Sequence, residues 1–273
     1  MIACPLVPVA MTLPGPGCVD LWRLSLSEGM HRPARARYLQ WLGPQEQARY
    51  QTCVDLGWRE QFLTGHGWLR EVLARYLECE PARITLGQGP HGKPRLLGPQ
   101  EPSLHFNLSH SQGWLVLAVS ASPVGVDVEV HQPRDVQALC RRFFSVGEQR
   151  ALSRTAPSRR LAYFYRLWTL REAWAKATGL GICQHWRQVR IARGHGTRKR
   201  SEQACWHLAA SDCLDGYSLA VAGWSSRAMR IRTFVDTALA GYGLCRDNPR
   251  WLEHHPGDDE TGHMRYTNQG VTL

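Results

Sequence analysis

The chain has 273 residues, 43% of them hydrophobic and 21% charged, with a formal net charge of +10. That length can bury a substantial core, and the balance is that of a globular protein rather than a fibrous or disordered one. No apolar run approaches the ~20 residues of a membrane helix. Nine scattered cysteines without a C-x-x-C pair argue against a disulfide scaffold and a zinc ribbon, and point to reduced thiols in a cytoplasmic protein.

In chain order, residues 1–17 are apolar but hold four prolines, and the first basic residue is Arg23, so a flexible leader is expected rather than a signal peptide. Residues 19–26 alternate as a strand. Residues 34–42 and 58–77 read as helices, the second interrupted by Gly65-His66-Gly67 at a cost of roughly 1 kcal/mol per glycine. ARITLG (82–87) is a short strand, and HFNLSHS and WLVLAVS follow a Gly92-Lys93-Pro94 turn. Then come GVDVEV, a helix near 134–142, a helix in FFSVGEQRAL, and a long helix ending at Gly179 with Ser158 as its expected N-cap. Strands are expected near 186–193, 205–210 and 217–224, and beyond residue 240 the chain becomes polar, as a disordered tail would. LHFNLSHSQGWLVLAVS and CWHLAASDCLDGYSLAVAG echo each other, which suggests two related lobes.

The most informative chemistry lies in GVDVEV and WTLREAWAKATG. Valines 126, 128 and 130 alternate with Asp127 and Glu129, so both carboxylates leave one face of a strand, roughly 7 Å apart. Glu172 and Lys176 are i and i+4 and share a side of a helix. If that side faces the strand, three carboxylates converge beside a lysine. Magnesium prefers oxygen ligands shared with substrate phosphates, and lysine supplies a mobile charge for a phosphate. Spacing alone leaves open a solvated strand beside an ordinary Glu–Lys helix pair.

Other motifs carry less. Gly87, Gly89 and Gly92 spell G-x-G-x-x-G, but Lys93-Pro94 follows where a dinucleotide fingerprint needs a helix, so a tight loop presenting Lys93 is the better reading. Ser109-His110 lacks the G-x-S-x-G of a hydrolase, and His105 with His110 lacks thiolates for zinc. Asn107 and His105 are read as bracing their turn. His254 and His255 lie in the tail. The basic residues are dispersed, Arg198 to Arg200 being the tight basic run.

GVDVE followed by W-x-x-x-E-A-x-x-K-x-x-G resembles the signature pair of the 4′-phosphopantetheinyl transferases, most closely the longer Sfp-type members that act as pseudo-dimeric monomers. GKP, HFNLSHS and RRFFSVGEQRAL agree and occur in the family's order, over roughly residues 38–225. The resemblance implies an α+β fold of two pseudo-symmetric lobes with the active site in the cleft between them. It implies transfer of the 4′-phosphopantetheine of coenzyme A to a serine of an acyl or peptidyl carrier protein, releasing adenosine 3′,5′-bisphosphate. Magnesium would sit on Asp127, Glu129 and Glu172, Glu172 would take the serine proton, and Lys176 would meet the leaving phosphate. Lys93, Ser109 and His110 would hold coenzyme A. Glu148, at the family's acidic position, would hold Lys176 or a water. The chain departs from the pattern in placing Arg171 before the signature glutamate and in offering only Arg49, with Arg59 as substitute, as basic contacts in the first lobe.

The expected boundaries are a leader to residue 17, an N-terminal lobe over 18–120, a C-terminal lobe with the magnesium site over 121–240, and a tail over 241–273. The expected partner is a small acidic carrier steered by a positive surface, with no nucleic acid or membrane involved. A basic protein that binds nucleic acid or an anionic surface is the alternative, and three converging carboxylates argue against it. A degenerate lobe serving as a scaffold is a third reading, opposed by the intact Asp127, Glu129, Glu172 and Lys176.

Overall fold

A computed structural model describes residues 10–26, 32–89, 92–98, 104–181, 191–193, 204–237, 241–244 and 251–256. In chain order it contains β1 (Cys18–Ser25), α1 (Arg32–Trp41), α2 (Pro44–Thr52), α3 (Leu56–Leu77), a 3-10 turn (Pro81–Arg83), β2 (Leu86–Gln88), β3 (Pro94–Leu96), β4 (His105–Ser111) and β5 (Trp114–Ser120). Next are β6 (Val124–Val130), α4 (Val136–Phe143), α5 (Val146–Arg154), α6 (Pro157–Thr178), β7 (Ile191–Arg193), β8 (Cys205–Ser211), β9 (Tyr217–Ser225), β10 (Arg230–Thr237), β11 (Gly241–Leu244) and β12 (Leu252–Pro256). Residues 182–190, part of an expected strand, and the basic run Arg198 to Arg200 lie outside the described residues.

Two five-stranded sheets carry the fold, ordered β11-β10-β1-β5-β4 and β6-β9-β8-β12-β7, and β2 with β3 forms a separate hairpin. Each sheet contains the same antiparallel unit: a strand (β1 or β6), then the second and first strands of a later hairpin (β5-β4 or β9-β8). Each also has a 22-residue helix, α3 or α6, between its first strand and its hairpin. The α+β class and the echo between the two hairpins therefore rest on one β-α-β-β plan used twice.

The apolar runs follow from burial on both faces of these sheets. In β5, Leu115, Leu117 and Val119 join Trp22, Leu69, Val72 and Phe106 in a core beneath α3. Val116 and Ala118, on the opposite face, meet Val126, Val128, Leu219 and Val221 of the second sheet. A third core packs Phe164, Leu170 and Ala173 of α6 on Leu208, Ala210, Ala220 and Ala222 of that sheet. Each fully buried Leu, Val or Phe contributes about 1.5–3 kcal/mol by leaving water.

Several expectations are corrected. Helix α6 starts at Pro157 with Ala156 at the cap position, not at Ser158; proline's fixed φ suits the first helical position, where no amide partner is lost. Its end is as expected, with Gly179 left-handed at φ 74. Gly65 and Gly67 do not interrupt α3: a Cβ on Gly67 would lie 2.1 Å from Tyr38, so the glycine seats that ring. Residues 43–50, which offer Arg49 as the expected basic contact, belong largely to α2, whose Glu46 Oε2 accepts from Gly43 N at 2.8 Å.

The boundaries also shift. Strand β10, which the sequence reading did not expect and whose residues fall within the expected C-terminal lobe, lies parallel to β1 in the first sheet, where Phe234 stacks on Trp22 at 4.6 Å and Arg232 binds buried Asp20. Apolar Phe234 finds its complement in the first core. The expected tail contributes β11 to the first sheet and β12, which pairs with β8 and β7, to the second. Part of the expected leader is packed: Met11 N donates to Arg75 O at 2.8 Å, and Met11 and Leu13 rest on the first core.

Candidate active site

Strands β4 and β6 are the facing edges of the two sheets. Period-two alternation points Asn107, Ser109 and Ser111 of β4 toward β6. Asn107 Oδ1 accepts from Val126 N at 2.8 Å, and Ser111 Oγ accepts from Val130 N at 3.1 Å. Between them, Ser109 Oγ donates to Asp127 Oδ1 at 2.9 Å. Side chains thus satisfy an edge that would otherwise leave backbone donors unpaired. Asn107 braces the junction of the sheets rather than its own turn.

Gly125 brings the helix to this edge. A Cβ there would lie 2.0 Å from Ala173 O and 2.5 Å from Ala177 N, both backbone atoms of α6. Small residues on both sides (Gly125, Ala220 and Ala222 facing Ala173 and Ala177) permit the close approach. One turn along, Lys176 Nζ reaches Asp127 Oδ1 at 2.7 Å and Ser109 Oγ at 2.9 Å. The Asp127 side chain is 5% exposed and that of Lys176 is 30% exposed. The second carboxylate oxygen of Asp127, Oδ2, is buried without a hydrogen-bond partner. Glu129 Oε2 accepts from Ser111 Oγ at 3.2 Å.

Electrostatics links the group. Burial raises the Asp127 carboxyl against the opposing pull of Lys176 and Ser109. Burial also raises Glu129, followed by the negative charge of Asp127. Glu172 is pushed up to about 7, first by burial and then by Asp127, with Lys176 opposing and Glu129 adding. Buried carboxylates that repel one another favour a proton or a cation. Among the described residues no group of three or more His, Cys, Asp or Glu side chains is arranged to hold a metal ion by itself, so Asp127, Glu129 and Glu172 do not converge on one point as expected. Magnesium does not require such a group, since it keeps waters and substrate oxygens around one or two protein carboxylates. The unpartnered Asp127 Oδ2 and the all-oxygen donor set fit that ion.

The other expected contacts separate into two groups. Lys93 is presented by the β2–β3 hairpin, with Gly92 at φ 79 and Gly89 N donating to Lys93 O at 2.7 Å. Its Nζ donates to Val124 O at 3.1 Å, at the start of β6, and burial lowers its ammonium to about 8. His110 alternates away from Ser109; its Nδ1 lies 2.9 Å from Gln61 Nε2. Burial lowers the His110 imidazole, as does the nearby Lys176. Ser109 is buried and engaged with Asp127 and Lys176. Arg49 stacks on Trp58 and Phe62 at 5.0 and 5.4 Å, and Arg59 on Tyr50 at 4.4 Å. These stacks belong to the α2–α3 pair.

Glu148 pairs with Arg171 rather than with Lys176. Glu148 also closes the first turn of α5 by accepting from Ser145 N at 2.9 Å, and Arg171 lies over Phe144 at 4.7 Å. The departure at Arg171 is therefore a buried lock between α5 and α6. Sequence reasoning missed Gln61, Ser111 and the packing role of Gly125; the polar alternation of HFNLSHS was the available signal for Ser111.

The family model described as the 4′-phosphopantetheinyl transferase superfamily matches residues 123–222. The 4′-phosphopantetheinyl transferase HetI of Nostoc sp. is 32% identical over 220 residues, covering 77% of this chain and 90% of that protein. A 4′-phosphopantetheinyl transferase of Bacillus pumilus is 43% identical over 134 residues, covering 49% of this chain and 55% of that one. The 4′-phosphopantetheinyl transferase Sfp of Bacillus subtilis is 25% identical over 164 residues, covering 60% and 72%.

Proposed function

We infer, for a chain that belongs to the 4′-phosphopantetheinyl transferase superfamily, that it transfers 4′-phosphopantetheine from coenzyme A to a serine of a carrier protein. The observation that carries this reading is the ion pair of Lys176 with Asp127 between β6 and α6, inside the matched segment, with Glu129 and Glu172 near enough to feel their charges.

The serine oxygen forms a bond to the phosphorus that bears the pantetheine arm. The bond from that phosphorus to the bridging oxygen breaks, and adenosine 3′,5′-bisphosphate leaves. Such a transfer asks for positioning and charge stabilisation more than covalent help from the protein. Glu172 is the nearest carboxylate placed to take the serine proton, directly or through a water. Lys176 has a flexible stem and already lies at the edge of the group. It turns from Asp127 toward the leaving phosphate and balances the charge that builds there. Ser109 keeps Asp127 in place during that exchange.

Asp127, Glu129 and Glu172 would hold magnesium. When bound, it would clamp the pyrophosphate and offset its developing charge. Lys93 and His110 flank the group and are proposed to bind the phosphates of coenzyme A, with Arg49 and Arg59 further along the first lobe. Among the described residues no helix is long and apolar enough to cross a membrane.

The test is release of adenosine 3′,5′-bisphosphate from coenzyme A in the presence of an apo carrier protein, with and without a chelator. Release that needs both carrier and magnesium is expected. Release without carrier would make the chain a coenzyme A hydrolase, and full activity in chelator would remove the magnesium assignment.

A further inference from the structure

We propose that Ser111 is a positioning residue that aims Glu129 at the magnesium ion, a role that rests on the magnesium reading above. Ser111 is buried on β4, across the sheet junction from its target. Its oxygen accepts the Val130 amide at 3.1 Å, and its proton goes to Glu129 Oε2 at 3.2 Å. A hydroxyl has one proton to give. With a backbone amide occupying one lone pair, the direction of that proton is fixed toward the carboxylate.

Glu129 needs such a guide more than Asp127 does. Asp127 has a short stem and is held by Ser109 and Lys176 together. Glu129 has one more rotatable bond, and among the described hydrogen bonds Ser111 is the one that reaches its carboxylate. The contact occupies Oε2 and leaves Oε1 to serve as ligand. A hydrogen bond that orients a ligating carboxylate acts on metal affinity through the ligand it holds. The β4 stripe therefore does two tasks: Ser109 serves Asp127, and Ser111 serves Glu129. The first sheet, which contributes no carboxylate to the group, would set the metal affinity of the second.

Manganese(II) binding to the full chain, followed by electron paramagnetic resonance, reads this without turnover. Ser111→Ala should weaken manganese about 10- to 100-fold, while turnover at saturating magnesium falls much less than the half-saturating magnesium rises. Ser111→Thr keeps the hydroxyl and should restore most of the affinity, which separates the hydrogen bond from any folding defect in the alanine variant. Wild-type manganese affinity in Ser111→Ala would overturn the proposal. So would a threonine variant as weak as the alanine variant, because the effect would then come from packing. A wild-type chain that binds no manganese at all would instead remove the magnesium reading, and this inference with it.

Discussion

Gly125→Ala is the most discriminating substitution, because it adds one methyl group and touches no charged side chain. The methyl would sit 2.0 Å from Ala173 O and 2.5 Å from Ala177 N. Both obstacles are helix backbone, so neither can rotate away. To reach ordinary contact near 3.4 Å, β6 and α6 must separate by roughly 1.4 Å. Overpacking of this kind costs about 1–3 kcal/mol. The separation also pulls Asp127 off Lys176, whose contact is 2.7 Å. A displacement of about 1 Å between catalytic groups can cost on the order of 10²-fold in rate. The expected result is a folded protein with a lower melting temperature and turnover reduced on the order of 100-fold. Calorimetry and a steady-state transfer assay measure the two effects. Gly223→Ala is the control: its methyl meets Met229 Sδ at 3.0 Å, the flexible end of a side chain, and should cost far less in both. A Gly125→Ala protein with wild-type stability and turnover would refute the claim that close packing sets the site.

Asp127→Ala should abolish transfer while changing the melting temperature little, since Lys176 retains Ser109 and the charges of Glu129 and Glu172 nearby; surviving activity with unchanged magnesium dependence would remove Asp127 from the metal. Arg171→Ala should cost about 3–5 kcal/mol by leaving Glu148 buried without its partner, yet turnover per folded molecule should hold, which active-site titration would check. Burial opposes the charge of Glu46, but hydrogen bonds from His66 and the nearby Arg70 hold its carboxyl below the usual glutamate range. Its contribution to stability is therefore complete above the unfolded value and lost as pH falls through the lower folded value. Glu46→Gln should flatten that acid limb in a series of melts, and an unaltered limb would contradict it. Truncation after Leu244 removes β12 and Trp251 and uncovers β8, so it should lower the melting temperature and promote aggregation; an unchanged melt would show that β12 adds nothing.

The site was legible where its signals were local. Alternation in GVDVEV and the i, i+4 spacing of Glu172 and Lys176 lie within single elements, and the strand and the helix do bring Asp127 and Lys176 into contact. Relations between elements were not legible. The reason for Gly125 is a helix about 50 residues away in sequence, and the polar stripe of β4 acquires meaning only when β6 lies beside it. Glu148 was expected to hold Lys176 or a water because it falls at the family's acidic position, but burial beside Phe144 selects Arg171. Strand β10 went unread for a similar reason: its polar alternation is ordinary, and its partner β1 lies some 200 residues earlier. The tail's density of Pro, Gly and charge hid Leu252–Pro256, a short strand whose pairing is supplied by β8 and β7.

The central claim is tested most directly by intact-mass measurement of an apo carrier protein after incubation with this chain, coenzyme A and magnesium. The account predicts a gain of one phosphopantetheine on the carrier serine, abolished by Asp127→Ala and by replacing that serine with alanine. A carrier of unchanged mass across fatty-acid, polyketide and peptide types, with the enzyme folded and coenzyme A bound, would contradict it.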